Sequence, residues 1–187
     1  MIESLLVLIQ HMKNEIEVID NFLPTYQFKS LKNILFSTHF HWYFNDRIIE
    51  GDKGRKYQLF HVLYDLKKEY NGRTEKFGEV EPIINLIGYK LNVTKLHRIK
   101  ANLRPKSFFN RSSGGYHIDG YDCSHTSIYY INTNNGYTKF KNGTKVKSVE
   151  NRMVVFPSNL EHQGYTCSDQ LRRVVVNFNY DKLRMVI

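Results

Sequence analysis

The stretch RRVVVNFNY, at positions 172–180, decides the fold because it alternates two kinds of side chain with the period of a β-strand. One face is largely polar and carries Arg173, Val175, Asn177 and Asn179. The other is largely apolar and carries Arg172, Val174, Val176, Phe178 and Tyr180. The pattern predicts a sheet that packs one face against helices and lines a ligand cavity with the other. Arg173 would then lie in the cavity, where a guanidinium fork matches a carboxylate.

Short segments of strand character, separated by turns, fill the chain from Lys95 onward. They are KLHRIKANLRP, GYHIDGY, TSIYYINTNNGYTKF, KNGTKVKSV, RMVVFPSN, HQGYT and RRVVVNFNY. The pairs Asn135-Gly136 and Asn142-Gly143 predict hairpins, because Asn and Gly accept the positive φ that tight turns require. Six or seven closely spaced strands predict a sandwich or a jelly roll.

The first half of the chain mixes strands and helices. EIEVIDNFLP alternates like a strand, residues 25–37 have apolar side chains at helical spacing, and FHWYF and YQLFHVLYD are typical of strands. A second helix is predicted over residues 79–91 with Pro82 in its first turn, after a mobile loop around Asn71. We therefore expect an α+β, mainly β fold with helices on one sheet. Residues 1–187 would form one domain, with supporting elements in 1–92 and the core in 93–180.

Charge and composition suggest an anionic partner without identifying it. The formal net charge is +9, aromatic residues make up 14% of the chain, and the lysines and arginines form no run of five or more. A basic protein concentrates nucleic acids, acidic proteins and small dicarboxylates alike. Because the positive charge is spread along the whole chain, no dedicated nucleic-acid arm is evident.

Two features bear on the compartment. Cys123 and Cys167 are the only cysteines and form no CxxC motif, which predicts a reducing, cytoplasmic location. The opening MIESLLVLIQHM is apolar, but it carries Glu3, is too short to span a bilayer and has no cleavage site after it. We expect no membrane segment, and either Met1 or Met12 as the natural start.

Three residues suggest a metal site. His117 and Asp119 are two apart in GYHIDGYD, so a strand there would direct both side chains into the same space. His162 follows the segment RMVVFPSN and a turn, and hairpins between it and Asp119 could bring it beside that pair. Two imidazoles and one carboxylate can form a facial triad that leaves coordination positions open for a reactive ferrous site. A structural zinc site with Cys167 as fourth ligand is the alternative.

From residue 16 to residue 180 the chain resembles the Fe(II)- and 2-oxoglutarate-dependent dioxygenases of the prolyl 4-hydroxylase-like group, particularly compact versions carried by marine phages. The matching pieces are YHID, SIYYIN, NTNNGYTKF, HQG and RRVVVNFNY. The resemblance implies a double-stranded β-helix that holds iron between its two sheets. It also implies hydroxylation of a peptide or protein side chain, with proline as the expected residue and succinate and CO2 as co-products. A phage-encoded protein would work in the host cytoplasm.

The same resemblance implies residue roles. His117, Asp119 and His162 would bind Fe(II), and Arg173 would anchor the distal carboxylate of 2-oxoglutarate with help from the Tyr130 hydroxyl. Asn177 fits the spacing of that strand. Relatives often have tyrosine before the proline of the preceding strand, whereas this chain has Arg104, which becomes the candidate for the other end of the cosubstrate. Dioxygen is the second cosubstrate, and ascorbate is expected to support turnover.

The segment LHRIKANLR predicts a basic cavity wall. Its alternation puts Arg98, Lys100, Asn102 and Arg104 on one face. Such a wall could recognise a peptide carbonyl, an acidic side chain or a phosphate. The alternative function is therefore oxidation of a nucleic acid, a nucleotide or a small molecule, although no base-reading insertion is evident. A metal-binding protein without turnover is the third hypothesis.

Overall fold

The computed structural model describes residues 16–46, 57–68, 73–74, 76–108 and 114–183. Helices α1 (Thr25–Phe36) and α2 (Phe77–Lys90) lie in the first half of these ranges. The strands are β1 (Glu17–Ile19), β2 (Tyr43–Asn45), β3 (Gln58–Asp65), β4 (Val93–Pro105), β5 (His125–Tyr130), β6 (Tyr137–Phe140), β7 (Lys145–Lys147), β8 (Arg152–Pro157), β9 (His162–Tyr165) and β10 (Arg172–Lys182). The opening residues and the predicted loop around Asn71 lie outside the described ranges.

The strands form two antiparallel sheets. The major sheet has the order β1-β8-β5-β10-β4-β3-β2, and the minor sheet has the order β7-β6-β9. A single antiparallel bridge between His117 and His162 adds the segment around His117 to the edge of the minor sheet. This is the mainly β, jelly-roll arrangement that the sequence predicts.

One apolar cluster, the helix-side cluster, joins the helices to the major sheet. From the helices it takes Phe28, Leu31 and Leu35 of α1 and Phe77, Val80, Ile83, Ile84 and Ile87 of α2. From β10 it takes Val174, Val176, Phe178 and Tyr180, the apolar face read from the sequence. Removing this much apolar surface from water fixes the helices on one face of the sheet.

A second, smaller cluster lies between the two sheets. It consists of Ile128, Tyr130, Phe140, Val146, Val154, Phe156 and Val175. Val175 belongs to it although its neighbours Val174 and Val176 belong to the helix-side cluster. The alternation of β10 thus divides its apolar side chains between two clusters. The polar residues of its inner face, Arg173, Asn177 and Asn179, belong to neither cluster.

Two predicted turns have different outcomes. Asn142-Gly143 forms the hairpin between β6 and β7, with Gly143 at φ +94°. The hairpin prediction for Asn135-Gly136 is wrong, because this pair lies in the connection from β5 in the major sheet to β6 in the minor sheet. The φ angle of Gly136 is not positive. A close approach of its neighbours, described below, accounts for the glycine instead.

Helix α2 begins earlier than predicted. It starts at Phe77, so Pro82 is its sixth residue and lies beyond the first turn. Phe77 and Val80 are buried in the helix-side cluster, and their packing extends the helix toward its N-terminus despite the proline. No helix in the described ranges is long and apolar enough to cross a membrane.

Candidate active site

A cavity of about 480 Å³ opens between the two sheets. Its walls come from the inner faces of β4 and β10, from the minor sheet and from the segment around His117. The lining residues are Gln58, Arg98, Lys100, Asn102, Arg104, Tyr116, His117, Ile118, Asp119, Ile128, Thr138, His162, Gly164, Arg173, Val175 and Asn177. Both strand faces that the sequence alternation assigned to a cavity, on β4 and on β10, contribute to this wall.

His117, Asp119 and His162 meet at one end of the cavity. Each offers a ligand atom, and these atoms all lie within 4.8 Å of one another. The backbone explains the convergence, since the His117 N–H donates to the His162 carbonyl at 3.1 Å and the His162 N–H donates back at 3.0 Å. Directly paired residues place their side chains on the same side of the sheet. The two rings are 4.8 Å apart between centroids.

The hydrogen bonds of the two histidines select one tautomer. Nδ1 of His117 lies 3.3 Å from the Gly115 carbonyl, and Nδ1 of His162 lies 3.3 Å from the Leu160 carbonyl. A carbonyl oxygen only accepts, so each Nδ1 carries the proton. Each Nε2 then presents a lone pair, the form in which imidazole binds a metal.

The Asp119 carboxylate is held by two residues of the major sheet. Asn179 Nδ2 donates to Asp119 Oδ2 at 3.0 Å, and Arg98 Nη2 lies 3.4 Å from the same oxygen. Asn179 also accepts from Arg98 Nε at 3.0 Å and donates to Thr126 Oγ1 at 3.0 Å. The Arg98 guanidinium in turn lies 4.6 Å from the ring centroid of Tyr121. This network leaves Asp119 Oδ1 directed toward the histidines, 3.9 Å from His117 Nε2.

The electrostatics favour the metal-binding protonation states. Burial raises the pKa of Asp119, but Arg98, His162, the Asn179 hydrogen bond and His117 together hold that pKa below its usual value. Burial lowers the pKa of His162, although Asp119 opposes the shift. An ionised carboxylate beside a neutral imidazole is the donor set that a divalent cation requires.

Arg173 lies farther along β10 and is 5% exposed. Its Nε donates to Ser148 Oγ at 2.8 Å and its Nη2 to Thr138 Oγ1 at 3.2 Å. Among the described residues no carboxylate forms an ion pair with it. A buried guanidinium without a counter-ion is costly, so this end of the cavity is suited to an anion.

Tyr130 lies behind Arg173 and outside the cavity lining. Its ring is 5.5 Å from the guanidinium carbon, and its hydroxyl donates to Thr138 Oγ1 at 2.8 Å. Thr138 thus accepts from both Tyr130 and Arg173 while it lines the cavity. Because both partners are donors there, the Thr138 hydroxyl hydrogen is left to donate to a ligand.

Gly136 makes room for the Arg173 side chain. A Cβ at this position would lie 2.8 Å from Arg173 Cδ, 2.8 Å from the Tyr165 carbonyl and 2.7 Å from Asn134 Oδ1. Two of these neighbours are a backbone atom and a buried side chain that cannot easily yield. Close packing, rather than a turn, therefore requires glycine here.

Asn177 and Arg104 line the same cavity at different positions along its wall. The Asn177 Oδ1 is buried without a hydrogen-bond partner in the described structure, which suits a ligand donor. Arg104 pairs directly with Arg173 in the β4–β10 register, whereas Arg98 pairs with Asn179. Along the β4–β10 register Arg104 therefore lies beside Arg173, and its contact with the other end of the cosubstrate stays a prediction.

Cys167 lies outside the cluster of ligand atoms. It is fully buried, and its thiol is directed at the Gln170 carbonyl at 3.4 Å. The described residues therefore provide three protein ligands at this position, without the fourth that a closed tetrahedral zinc site needs.

Comparison with protein-family models found no match, and neither did comparison with curated protein sequences. Solved structures do match. A prolyl-4-hydroxylase from Pseudomonas putida has a TM-score of 0.61 and 12% identity, over 92% of this chain and 95% of that chain. A Trichoplax adhaerens prolyl hydroxylase, solved with a hypoxia inducible factor peptide, has a TM-score of 0.56 and 16% identity, over 95% and 89%.

The match extends to another chemistry. The non-heme alpha ketoglutarate dependent epimerase SnoN, from nogalamycin biosynthesis, has a TM-score of 0.59 and 10% identity, over 92% of this chain and 79% of that chain. At such identities the likeness concerns the fold alone. The chain has the double-stranded β-helix fold that these oxygenases share.

Sequence reasoning missed several residues that organise the site. Asn179 was placed on the correct face of β10, but its contact with Asp119 joins residues 60 apart in sequence. Thr138 and Ser148 approach Arg173 from the minor sheet and the turn after it. Strand parity is the signal that could have found Asn179, because it lies on the same face as Arg173 and Asn177. No local signal marks Thr138 or Ser148.

Asn179 and Asn177 provide a matched pair of variants. Asn179→Ala removes hydrogen bonds to Asp119, Thr126 and Arg98, so we expect the metal-free protein to lose about 2–3 kcal/mol of unfolding free energy. Asn177→Ala removes a buried acceptor that has no partner, so we expect a change within about 0.5 kcal/mol. Denaturant unfolding in the presence of a chelator measures both. Equal losses in the two variants would contradict the network.

Proposed function

We propose that the chain is an Fe(II)- and 2-oxoglutarate-dependent dioxygenase that hydroxylates a peptide or protein side chain, with proline as the residue attacked. One observation carries the proposal. Two histidines and an aspartate converge at one end of a cavity, and toward the other lies a buried guanidinium that has no carboxylate partner in the described part of the chain. A three-ligand metal centre and an anion site on one wall suit a metal-chelating dicarboxylate.

The donor set supports iron at this position. His117 Nε2, His162 Nε2 and Asp119 Oδ1 would hold the ion, since both Nδ1 atoms and Asp119 Oδ2 are already engaged. Bound Fe(II) would supply activation of dioxygen, coupled to oxidation of 2-oxoglutarate to succinate and CO2 and of a substrate C–H bond to C–OH. The protein's part is to orient the ligands through Asn179 and Arg98 and to exclude water with the apolar cluster between the sheets.

The distal carboxylate of 2-oxoglutarate has a matching anion site. Arg173 would donate to it, and the free hydrogen of Thr138 would add a second contact. Ser148 and Tyr130 would then hold Arg173 and Thr138 rather than touch the ligand. The Asn177 Oδ1 lies on the same wall and would accept a hydrogen bond from a donor group of the bound substrate.

The peptide substrate is supported by two of the matched structures. Both the Pseudomonas putida and the Trichoplax adhaerens proteins are prolyl hydroxylases, the second in complex with a peptide fragment. The epimerase match favours a second candidate, oxidation of a small molecule, because it shares the fold with similar coverage of this chain. The basic cavity wall is compatible with either.

Removal of either histidine should abolish metal binding. The purified protein should bind about one Fe(II) per chain and convert 2-oxoglutarate slowly to succinate without substrate, in the presence of ascorbate. His117→Ala or His162→Ala should abolish both, because two protein ligands hold the ion too weakly. Metal analysis and succinate mass spectrometry are the measurements, with the exposed His39→Ala as control. Tight tetrahedral zinc bound through Cys167 would contradict this assignment.

Two neighbouring arginines test the cosubstrate anchor. Arg173→Ala should weaken 2-oxoglutarate binding by about 30-fold or more while metal binding survives, because a desolvated charge pair is worth roughly 2–5 kcal/mol. Arg172→Ala should have little effect, since its guanidinium packs on Phe36 at 4.2 Å on the helix side. Tyr130→Phe should weaken binding modestly, by about 1 kcal/mol. Calorimetry on the metal-loaded protein measures all three, and a damaging Arg172→Ala with a silent Arg173→Ala would refute the anchor.

The substrate class can be tested on mixed material. A proteome digest and a methylated oligonucleotide pool are each incubated with the protein, Fe(II), ascorbate and 2-oxoglutarate. We expect proline-containing peptides that gain one oxygen atom, and unchanged nucleobases, because no base-flipping insertion is evident. Demethylated bases without oxidised peptides would reverse this assignment, and the His162→Ala protein serves as the blank.

A further inference from the structure

Lys100 is a cavity residue to which neither the metal nor 2-oxoglutarate assigns a role. It lines the cavity from β4, and its Nζ is held 4.9 Å from the ring centroid of Phe60 on the neighbouring β3. No carboxylate among the described residues forms an ion pair with it. An ammonium group in this position is oriented by the aromatic ring but has no counter-ion.

The charges that line the cavity leave Lys100 without a counter-ion. Arg98, Lys100 and Arg173 line the cavity, and Asp119 is the one carboxylate among its described lining residues. Arg98 is paired with Asp119. Under the proposed function Arg173 would bind the distal carboxylate of 2-oxoglutarate. Lys100 then has no counter-ion among these groups, and a substrate anion would provide one.

The position of Lys100 points to the primary substrate. Along β4 it lies between Arg98 at the metal-ligand end and Arg104, which pairs with Arg173. Lys100 and Asn177 are direct cross-strand partners on the cavity face, so their side chains emerge within about 5 Å of each other. The Lys100 ammonium is directed toward Phe60 on β3, and the buried Asn177 Oδ1, which has no hydrogen-bond partner in the described structure, lies on the β10 side. The ammonium can bind an oxyanion of the substrate, and the Asn177 Oδ1 can accept from an N–H beside it.

We propose that Lys100 selects a primary substrate that carries an oxyanion close to the reacting carbon, and that this substrate is an acidic peptide. The inference rests on the proposed function and narrows its substrate class. A side-chain carboxylate and a phosphoryl group share the chemistry that an ammonium recognises, and either could supply the anion on a peptide.

The electrostatic state of Lys100 agrees with this role. Burial, followed by repulsion from Arg98, lowers the pKa of Lys100 to about 8, although Asp119 opposes the shift. A nearby anion would favour the charged form, so the same lysine gains a favourable interaction once a substrate anion lies beside it.

Matched peptide pools provide the test. Fluorescent peptides with a central proline carry Glu, Gln, Lys or phosphoserine at the flanking positions. Binding is measured by anisotropy on the Mn(II)- and 2-oxoglutarate-loaded protein without oxygen, and hydroxylation is measured separately with Fe(II). We expect Glu or phosphoserine peptides to bind at least about tenfold more tightly than Gln peptides, and the better of the two identifies the source of the anion.

Variants of Lys100 assign the preference to this residue. Lys100→Gln should reduce the preference to about twofold or less, and Lys100→Arg should retain most of it because the cation remains. Lys95→Gln, which removes an exposed charge from the same strand, should leave the preference intact. Retention of the full preference in Lys100→Gln would overturn the inference.

The remaining outcomes are also decisive. Equal binding of Glu, phosphoserine and Gln peptides, with oxidised peptide and succinate still formed, overturns the role of Lys100 and leaves the proposed function standing. Displacement of every peptide by a single-stranded oligonucleotide, which alone is oxidised, overturns the peptide as the source of the anion. A wild-type protein that forms no succinate from 2-oxoglutarate contradicts the proposed function itself, and the inference fails with it.

Discussion

The burial of Arg173, which has no carboxylate partner among the described residues, is the constraint around which the candidate site is arranged. The guanidinium is tolerated because Ser148 and Thr138 accept from it and because the Tyr130 ring lies beside it. Gly136 provides the space that its side chain needs. Replacing a buried cation by an apolar residue often stabilises a protein, so a stability argument alone does not explain this arginine. An anionic ligand at this position, as proposed, would offset its cost.

The alternation of β10 links the proposed anion site to the candidate metal ligands. On one face Arg173 and Asn177 line the cavity and Asn179 donates to Asp119, while Val174, Val176, Phe178 and Tyr180 on the opposite face pack under the helices. A shift by one residue would expose the apolar face and bury the arginine against α1 and α2. The hydrophobic packing of the helices therefore fixes the register that directs Arg173 into the cavity and Asn179 onto Asp119.

The sequence predicted the parts of this arrangement that depend on strand periodicity. It placed Arg173 and Asn177 on the cavity face of β10, and Arg98 and Lys100 on the cavity face of β4, because period-2 alternation is visible in a single sequence. The prediction that His162 lies beside His117 and Asp119 depended on the family resemblance and on the assumption that the intervening hairpins fold back. Whether these three residues bind iron stays a prediction that geometry supports.

Contacts that join distant segments were beyond the sequence. The bond from Asn179 to Asp119 and the contact of Thr138 with Arg173 depend on how two sheets face each other, which no local pattern specifies. Gly136 was misread as a turn residue because a glycine needed for close packing looks the same in sequence as one needed for positive φ. The pairing of Arg104 with Arg173 was likewise not visible in the sequence, because it is a matter of tertiary register.

A crystal structure with Mn(II) and 2-oxoglutarate, grown without oxygen and phased on the anomalous signal of the metal, tests the central claim most directly. The account predicts one anomalous peak in contact with Nε2 of His117, Nε2 of His162 and a carboxylate oxygen of Asp119. It also predicts the distal carboxylate of 2-oxoglutarate on Arg173. A metal bound elsewhere, or a 2-oxoglutarate carboxylate held by Lys100 or Arg104 while Arg173 keeps only Ser148 and Thr138, would contradict it.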